Sequence, residues 1–130
     1  MKTIAGLGEH AVIEKIRERV PPTSAEVILG IGDDAAILES ERNTLTVVTT
    51  DVLVEQVHFD RAFTPMDAVG HKALAINLSD VAAMGAKPKH ALLSLAMPVS
   101  MTVNELDELL DGLLTLADAH RVDVVGGNVT

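Results

Sequence analysis

The amino-acid sequence predicts an α+β fold, with helices packed on one face of a mainly antiparallel four-stranded sheet. Segments with apolar residues at helical spacing are separated by short apolar or β-branched runs of strand length, in the order α, β, β, α, β, α, β. Two successive strands near the start and a strand at the end fit helices on an antiparallel sheet better than a doubly wound parallel sheet.

The first predicted elements are a helix and a hairpin. Residues 8–19 should form the helix, because its apolar residues share one face and a Pro-Pro pair follows it. Two strands come next, at residues 35–38 and 44–50, with a polar turn at 39–43 between them. The second strand is the clearer one, since β-branched residues alternate along it up to Asp51. We therefore expect these two strands to pair.

The second predicted helix starts at Thr64-Pro65, with threonine as the N-cap and proline at the first helical position. It should run to about Met84, with Gly85 closing it and an interruption near residues 77–80. From residue 73 onward it is almost entirely small or apolar, so we expect it to lie against the core.

The last third of the chain predicts a buried strand at residues 90–97, a third helix and a final strand at 122–125. Thr102 and Glu105 match a capping box at the start of this helix. The final strand should deliver residues 126–128 beyond its end. The apolar stripe of the third helix, which we expect in the core, consists of Val103, Leu106, Leu109, Leu110, Leu113 and Ala117. Its acidic residues should face solvent.

Composition excludes several classes of protein. The chain has 130 residues, 48% of them hydrophobic, which is enough to build a core. It has no cysteine, so disulfides, thiolate metal sites and cysteine nucleophiles are excluded. No apolar run approaches the roughly 18 residues of a membrane span, and no signal peptide is visible, so we expect a cytoplasmic protein. The net charge of −9 argues against nucleic acid as a partner and favours metal cations, although acidic residues also keep surfaces soluble.

Three acidic clusters are candidate binding sites. The first is the glycine-rich stretch that ends in Asp33 and Asp34, the second is Thr49-Thr50-Asp51 at a strand end, and the third is Asp80 with its polar neighbours. Adjacent carboxylates and hydroxyls are hard oxygen ligands for Mg²⁺. Each cluster also has a plain structural explanation, because Gly-Asp-Asp and a strand-ending aspartate both make ordinary turns and Asp80 could cap a helix. Carboxylates that converge would suit a polyphosphate bound through several Mg²⁺ ions.

The histidines carry less information. His58 lies between two apolar residues, and a lone histidine of this kind is more often a packed or surface residue than a catalyst. No two histidines show zinc spacing, and no Ser-His-Asp arrangement can be argued from the order of residues.

Four segments in this order resemble one known family. They are Gly-Ile-Gly-Asp-Asp-Ala-Ala at 30–36, Thr-Thr-Asp-Val-Leu-Val-Glu-Gln-Val-His-Phe at 49–59, Lys-Ala-Leu-Ala-Ile-Asn-Leu-Ser-Asp-Val-Ala-Ala-Met-Gly-Ala at 72–86 and Val-Gly-Gly-Asn at 125–128. Together they resemble the N-terminal domain of thiamine-monophosphate kinase. This family is related to aminoimidazole-ribonucleotide synthetase, selenophosphate synthetase and the hydrogenase maturation protein HypE.

The resemblance implies an activity and a set of site residues. Residues 1–130 would be an ATP- and Mg²⁺-binding dimerisation domain, and the activity would be transfer of the ATP γ-phosphoryl group to thiamine monophosphate, giving thiamine diphosphate. No catalytic side chain is implied, because the transfer is in line and metal-assisted. His58 would contact the substrate, and Gly127 with Asn128 would contact the nucleotide. The implied ligands of several Mg²⁺ ions are Asp34, Thr49, Thr50, Asp51, Asp80 and Asn128.

The chain departs from the family pattern in two ways. Asn128 stands where the family usually has aspartate, which keeps a carbonyl ligand but loses a charge. The family also has a second domain that completes the sites, and it forms homodimers in which sheets of two subunits pair into a barrel. We therefore expect the 130 residues alone to be inactive or nearly so. Another ATP-using member of the superfamily with a different acceptor, or a non-catalytic Mg-nucleotide-binding dimerisation module, are the alternative functions.

Overall fold

Three α-helices and four short strands make up the regular structure in the computed structural model of the protein, which describes residues 1–130. In chain order they are α1 (Glu9–Arg19), β1 (Val27–Leu29), β2 (Ile37–Leu38), α2 (Met66–Ala83), β3 (His90–Leu95), α3 (Val103–Ala119) and β4 (Asp123–Val129), with a short 3₁₀ turn at Ile4–Gly6 before α1. The α+β class is confirmed. No helix is both long enough and apolar enough to cross a membrane.

The predicted four-stranded antiparallel sheet is wrong. β1 and β2 form a two-stranded antiparallel sheet, whereas β3 and β4 form a two-stranded parallel sheet, and no barrel closes. The connection from β3 to β4 contains the whole of α3. A strand–helix–strand connection of this length allows parallel pairing, which a tight turn cannot. The predicted antiparallel sheet does not take into account the crossover through α3 between β3 and β4.

The predicted hairpin between residues 35–38 and 44–50 is also wrong. β2 pairs instead with β1, in the register Val27↔Leu38, and residues 44–50 are in no strand. Lys89 Nζ lies 3.1 Å from Glu26 and 2.9 Å from Glu41, so the chain that follows β2 is held near the start of β1. Alternating β-branched residues predict an extended backbone. A β-strand also needs a neighbouring strand to pair with, and the spacing of residues does not predict which segment that is.

The chain folds as two compact units. The first unit comprises Met1–Thr44, Lys89–Val103 and Val122–Thr130, and the second comprises Leu45–Pro88 and Asn104–Arg121. In the first unit, the buried face of α1 carries Val12 and Ile16, as predicted. α1 ends where Val20 takes an extended conformation before the prolines.

The second unit contains α2 and nearly all of α3. Five of the six residues predicted for the apolar stripe of α3 are buried, with Leu106 and Leu110 fully so, whereas Val103 is half-buried. α2 and α3 approach each other closely at two glycines. A Cβ atom at Gly70 would overlap the carbonyl oxygen of Leu109, and one at Gly112 would overlap that of Asp67. Only glycine allows the two backbones to lie this close.

The predicted interruption of α2 does not occur, because the helix runs unbroken from Met66 to Ala83. The amide of Asn77 donates to the carbonyl of Ala73, 2.9 Å away, so this polar group finds its partner inside the helix. The end of α2 follows the prediction. Gly85 has φ +68°, its N–H donates to Ala82, and the next N–H donates to Val81. This is a Schellman motif.

Only the first half of α2 is buried. Its buried residues lie between Met66 and Leu74, whereas Asp80 is exposed and Met84 is 70% exposed. The expectation that the whole apolar stretch lies against the core is therefore wrong. The protein has no buried polar or charged residue, so Asp80 pays no desolvation penalty that a partner must offset.

Candidate functional site

Two predicted ligand residues meet in the second unit. Thr49 Oγ1 lies 3.4 Å from Asp80 Oδ2, although 31 positions separate the two residues in sequence. α2 holds Asp80 in its last turns, and the extended segment before Asp51 holds Thr49. A hydroxyl and a carboxylate therefore lie side by side on elements that are both within this unit. This pair was predicted to belong to one site.

Thr50 and Asp51 continue the same segment, and both are exposed. One carboxylate oxygen of Asp51, Oδ1, accepts the N–H of Val52 at 2.8 Å. This bond is local and constrains the carboxylate, while Oδ2 remains as a hard oxygen donor. The second unit therefore contains one hydroxyl group and two carboxylates of the candidate site, from Thr49, Asp51 and Asp80.

The donor set suits Mg²⁺ more than a softer metal. All the groups are oxygens, and the chain has no thiol. No three His, Asp or Glu side chains are gathered closely enough to hold an ion by themselves. Mg²⁺ commonly binds through one or two carboxylates together with waters and the phosphates of a substrate, so a small number of carboxylates fits it.

His58 lies in a tight turn of the second unit, and its ring takes part in the turn. Its Nδ1 accepts the backbone N–H of Val54 at 3.0 Å, and the backbone N–H of His58 donates to the Val54 carbonyl at 2.8 Å. Gln56, at the tip, has φ +66°, which is uncommon for a residue other than glycine. Lys72 Nζ on α2 lies 3.4 Å from the carbonyl oxygen of His58. The side chain of His58 is exposed.

Beside this turn lies an ion-pair group that the sequence does not predict. Arg61 Nε donates to Glu55 Oε1 at 2.9 Å, and its Nη1 lies 3.3 Å from Glu105 Oε1 on α3. The hydrogen bond to Glu55 raises the pKa of Arg61 above its ordinary value, and the charges of both glutamates add to this effect. The sequence predicts Glu105 as part of a capping box and among acidic residues that face solvent. Nothing in the spacing of these residues pointed to one group.

The remaining predicted residues belong to the first unit. Asp34 is exposed in the loop between β1 and β2, and its N–H donates to Asp33 Oδ1 at 2.8 Å. Asp33 therefore supports the backbone at Asp34. Gly127 and Asn128 lie inside β4, paired with Leu93 and Ser94, and not beyond the end of a strand as predicted.

Gly127 is required by the backbone of this sheet. Its φ is +147°, and a Cβ atom there would overlap the carbonyl oxygen of Leu93 and lie 2.8 Å from the Leu93 nitrogen. Asn128 is exposed on the neighbouring position of β4. The glycine therefore has a structural reason to be present, besides any contact with a ligand.

Comparison with known proteins adds a family. Residues 32–130 match the model of the family described as AIR synthase related protein, N-terminal domain. A thiamine-monophosphate kinase from Bacillus subtilis is 38% identical over 122 residues, which cover 94% of this chain and 37% of that protein. The chain therefore spans little more than a third of this relative.

Solved structures agree with this match. A crystal structure of thiamine-monophosphate kinase from Stenotrophomonas maltophilia K279a superposes with a TM-score of 0.78 at 42% identity, covering 95% of this chain and 38% of that one. A structure described as AaThiL complexed with AMPPCP and TMP superposes with a TM-score of 0.62 at 30% identity, covering 100% of this chain and 40% of that one.

Proposed function

We propose a function that starts from the family of the chain, which belongs to the family described as AIR synthase related protein, N-terminal domain. It supplies a Mg²⁺-ATP half-site to an enzyme that phosphorylates thiamine monophosphate. Relatives named thiamine-monophosphate kinase and a related structure that holds AMPPCP and TMP support this substrate pair. The observation that carries the proposal is the 3.4 Å approach of Thr49 Oγ1 to Asp80 Oδ2, two residues that the resemblance implies as ligands of Mg²⁺ ions.

The chemistry of this reaction suits the groups that the chain offers. A phosphate oxygen of thiamine monophosphate attacks the γ-phosphorus of ATP, the bond from that phosphorus to the β–γ bridging oxygen breaks, and thiamine diphosphate and ADP result. The attacking phosphate is already an anion at neutral pH, so no general base is needed. The protein then has to position two anionic substrates and offset their charge. Mg²⁺, when bound, supplies that charge.

Each predicted residue has a role in this proposal. Asp34, Thr49, Thr50, Asp51, Asp80 and Asn128 hold Mg²⁺, Gly127 and Asn128 contact the nucleotide, and His58 contacts the thiamine phosphate. Two of these residues are held by hydrogen bonds or strand pairing. The backbone N–H of Val52 donates to the carboxylate of Asp51, and the backbone of Asn128 is paired within the β3–β4 sheet. We place the enzyme in the cytoplasm.

Calorimetry with Mg²⁺ and a non-hydrolysable ATP analogue tests the half-site. Asp51→Asn and Asp80→Asn should each weaken binding of the Mg²⁺-analogue complex by at least about tenfold, since even supporting residues of metal sites have effects of this size. Asp118→Asn is the matched control, because it removes an exposed carboxylate of α3 in the same unit. Unchanged affinity in both site variants would refute the metal assignment.

A second candidate, a non-catalytic Mg-nucleotide-binding module, is favoured by one observation. Asn128 stands at a position where the resemblance leads us to expect a carboxylate. Steady-state turnover of ATP and thiamine monophosphate by the product of the complete gene separates the two candidates. Turnover supports the kinase, whereas binding of the ATP analogue without turnover supports the module.

We also propose that the protein is a homodimer. Four apolar side chains of residues 45–57, which form an extended segment and the turn after it, are largely exposed, and this part of the backbone belongs to no sheet. They are Leu45, Val48, Val52 and Val57, at 95%, 85%, 64% and 73% exposure. An extended apolar segment with unpaired edges is a surface that natural proteins normally cover. A second copy of the chain is the occupant we propose.

A further inference from the structure

The turn that carries His58 is fixed to both helices of the second unit. Arg61 joins Glu55, in the turn, to Glu105 on α3, at 2.9 and 3.3 Å. Lys72 on α2 reaches the carbonyl oxygen of His58 at 3.4 Å. The side chains of Arg61, Glu55 and Glu105 are only 22–31% exposed, so water screens these pairs less than it screens a surface ion pair.

Within this turn the ring of His58 has one tautomer. A backbone N–H can only donate, so the bond from Val54 to Nδ1, at 3.0 Å, requires an unprotonated Nδ1. In the neutral ring the proton is then on Nε2. Nε2 is the ring nitrogen left for a ligand, and it is a donor, which suits a phosphate oxygen.

We propose that Arg61 is a positioning residue for His58. By joining Glu55 to Glu105, Arg61 stabilises the turn in which the backbone N–H of Val54 donates to Nδ1 of His58. The Nε2–H group of His58 is then free to donate to a phosphate oxygen of the substrate. This inference rests on the proposed function, in which His58 contacts the thiamine phosphate. Arg61 itself touches no substrate.

Arginine is suited to this task and lysine is not. The two glutamates are bonded by different nitrogens of one planar guanidinium, Nε and Nη1. A lysine has a single ammonium group and cannot present the same fork. Arg61→Lys should therefore behave like Arg61→Ala. Glu105→Gln keeps an acceptor for Nη1 and should be the mildest variant of the three.

The tautomer is measured directly, without substrate. Two-dimensional ¹H–¹⁵N spectra of the imidazole nitrogens should show an Nε2–H ring for His58 in the unaltered protein and in Glu105→Gln. In Arg61→Ala and Arg61→Lys the signals should shift toward a mixture of tautomers, and the Val54 amide should exchange with solvent at least about tenfold faster. Arg42→Ala, in an exposed turn of the first unit, is the control for loss of an arginine. An unshifted His58 in both Arg61 variants overturns the proposal.

Kinetics of the complete gene product add a readout that a merely structural role would not move. Arg61→Ala and Arg61→Lys should raise the KM for thiamine monophosphate about tenfold and leave the KM for ATP within about twofold, since only one substrate meets His58. Equal rises for both substrates, or no rise, overturn the proposal. If Arg61→Ala does not fold, Arg61→Lys decides. If thiamine monophosphate is not a substrate at all, the proposed function fails while the tautomer measurement still judges the role of Arg61 in the turn.

Discussion

The crossing of α2 and α3 at Gly70 and Gly112 allows a sharp test by a double-mutant cycle. A Cβ atom at either position would overlap a backbone carbonyl oxygen of the other helix, and backbone cannot turn aside as a side chain can. The added methyl therefore has to push the helices apart. Overpacking of this kind costs about 1–3 kcal/mol, and we take the upper end, about 3, because the obstacle is backbone. Replacing glycine by alanine inside a helix stabilises the helix by about 1 kcal/mol, because alanine has the higher helix propensity.

Each single variant, Gly70→Ala or Gly112→Ala, should therefore lower the free energy of unfolding by about 2 kcal/mol. The two overlaps occur at one crossing, since Gly70 meets Leu109 and Gly112 meets Asp67. One separation of the helices removes both overlaps, so the double variant loses the overpacking cost of about 3 kcal/mol only once. It gains about 1 kcal/mol of helix propensity at each of the two alanines, which leaves a net loss of about 1 kcal/mol. Independent sites would lose about 4.

Urea unfolding followed by far-ultraviolet circular dichroism measures these values. Gly6→Ala is the control, because no atom beyond its two chain neighbours lies within 4 Å of its Cβ position, and it should be neutral or slightly stabilising. A double variant that loses the sum of the two single losses would refute the shared crossing. Single variants as stable as the parent would show that the helices are not this close.

Two further outcomes are expected. Val48→Lys should convert the proposed dimer to a monomer in sedimentation velocity, because it places a charge on an exposed apolar segment. The control variant Lys15→Ala, on α1, should leave the dimer intact. A Val48→Lys protein with the same mass as the parent would contradict the proposed interface. Hydrogen bonds to Glu41 and Glu26 raise the pKa of Lys89, so its contribution to stability is complete below its unfolded pKa of about 10.4 and is lost as pH rises through the folded value. The difference in unfolding free energy between the parent and Lys89→Met should therefore be constant from pH 7 to 9 and shrink above about 10.4, and a difference that grows there would contradict the pairing.

Much of the local structure follows from residue patterns. The apolar stripe of α3, the buried face of α1 and the glycine end of α2 were all predicted, because helical spacing and capping are properties of neighbouring residues. The family was identified from four short segments in the right order, and residues 32–130 match its model. These features need no knowledge of distant contacts.

The pairing of strands and the surroundings of the site could not be predicted in this way. The extended run at 44–50 has the pattern of a strand, but a ladder depends on which segment arrives beside it, and here β1 pairs with β2 instead. The group formed by Arg61, Glu55 and Glu105 was missed for the same reason. One of its two links spans 44 positions in sequence, and no local spacing signals such a contact.

The residue pattern alone is enough to predict the helices, their apolar faces and the family to which the chain belongs. The resemblance to the family also implies that Thr49 and Asp80 are Mg²⁺ ligands, and this stays a prediction. Three features are visible only in the folded chain: Thr49 and Asp80 lie 3.4 Å apart, β3 and β4 are parallel, and a backbone N–H donates to Nδ1 of His58. The physical reason is that propensity and capping act over a few residues, whereas a ladder, an ion pair or a tautomer depends on atoms that folding brings together from distant parts of the chain.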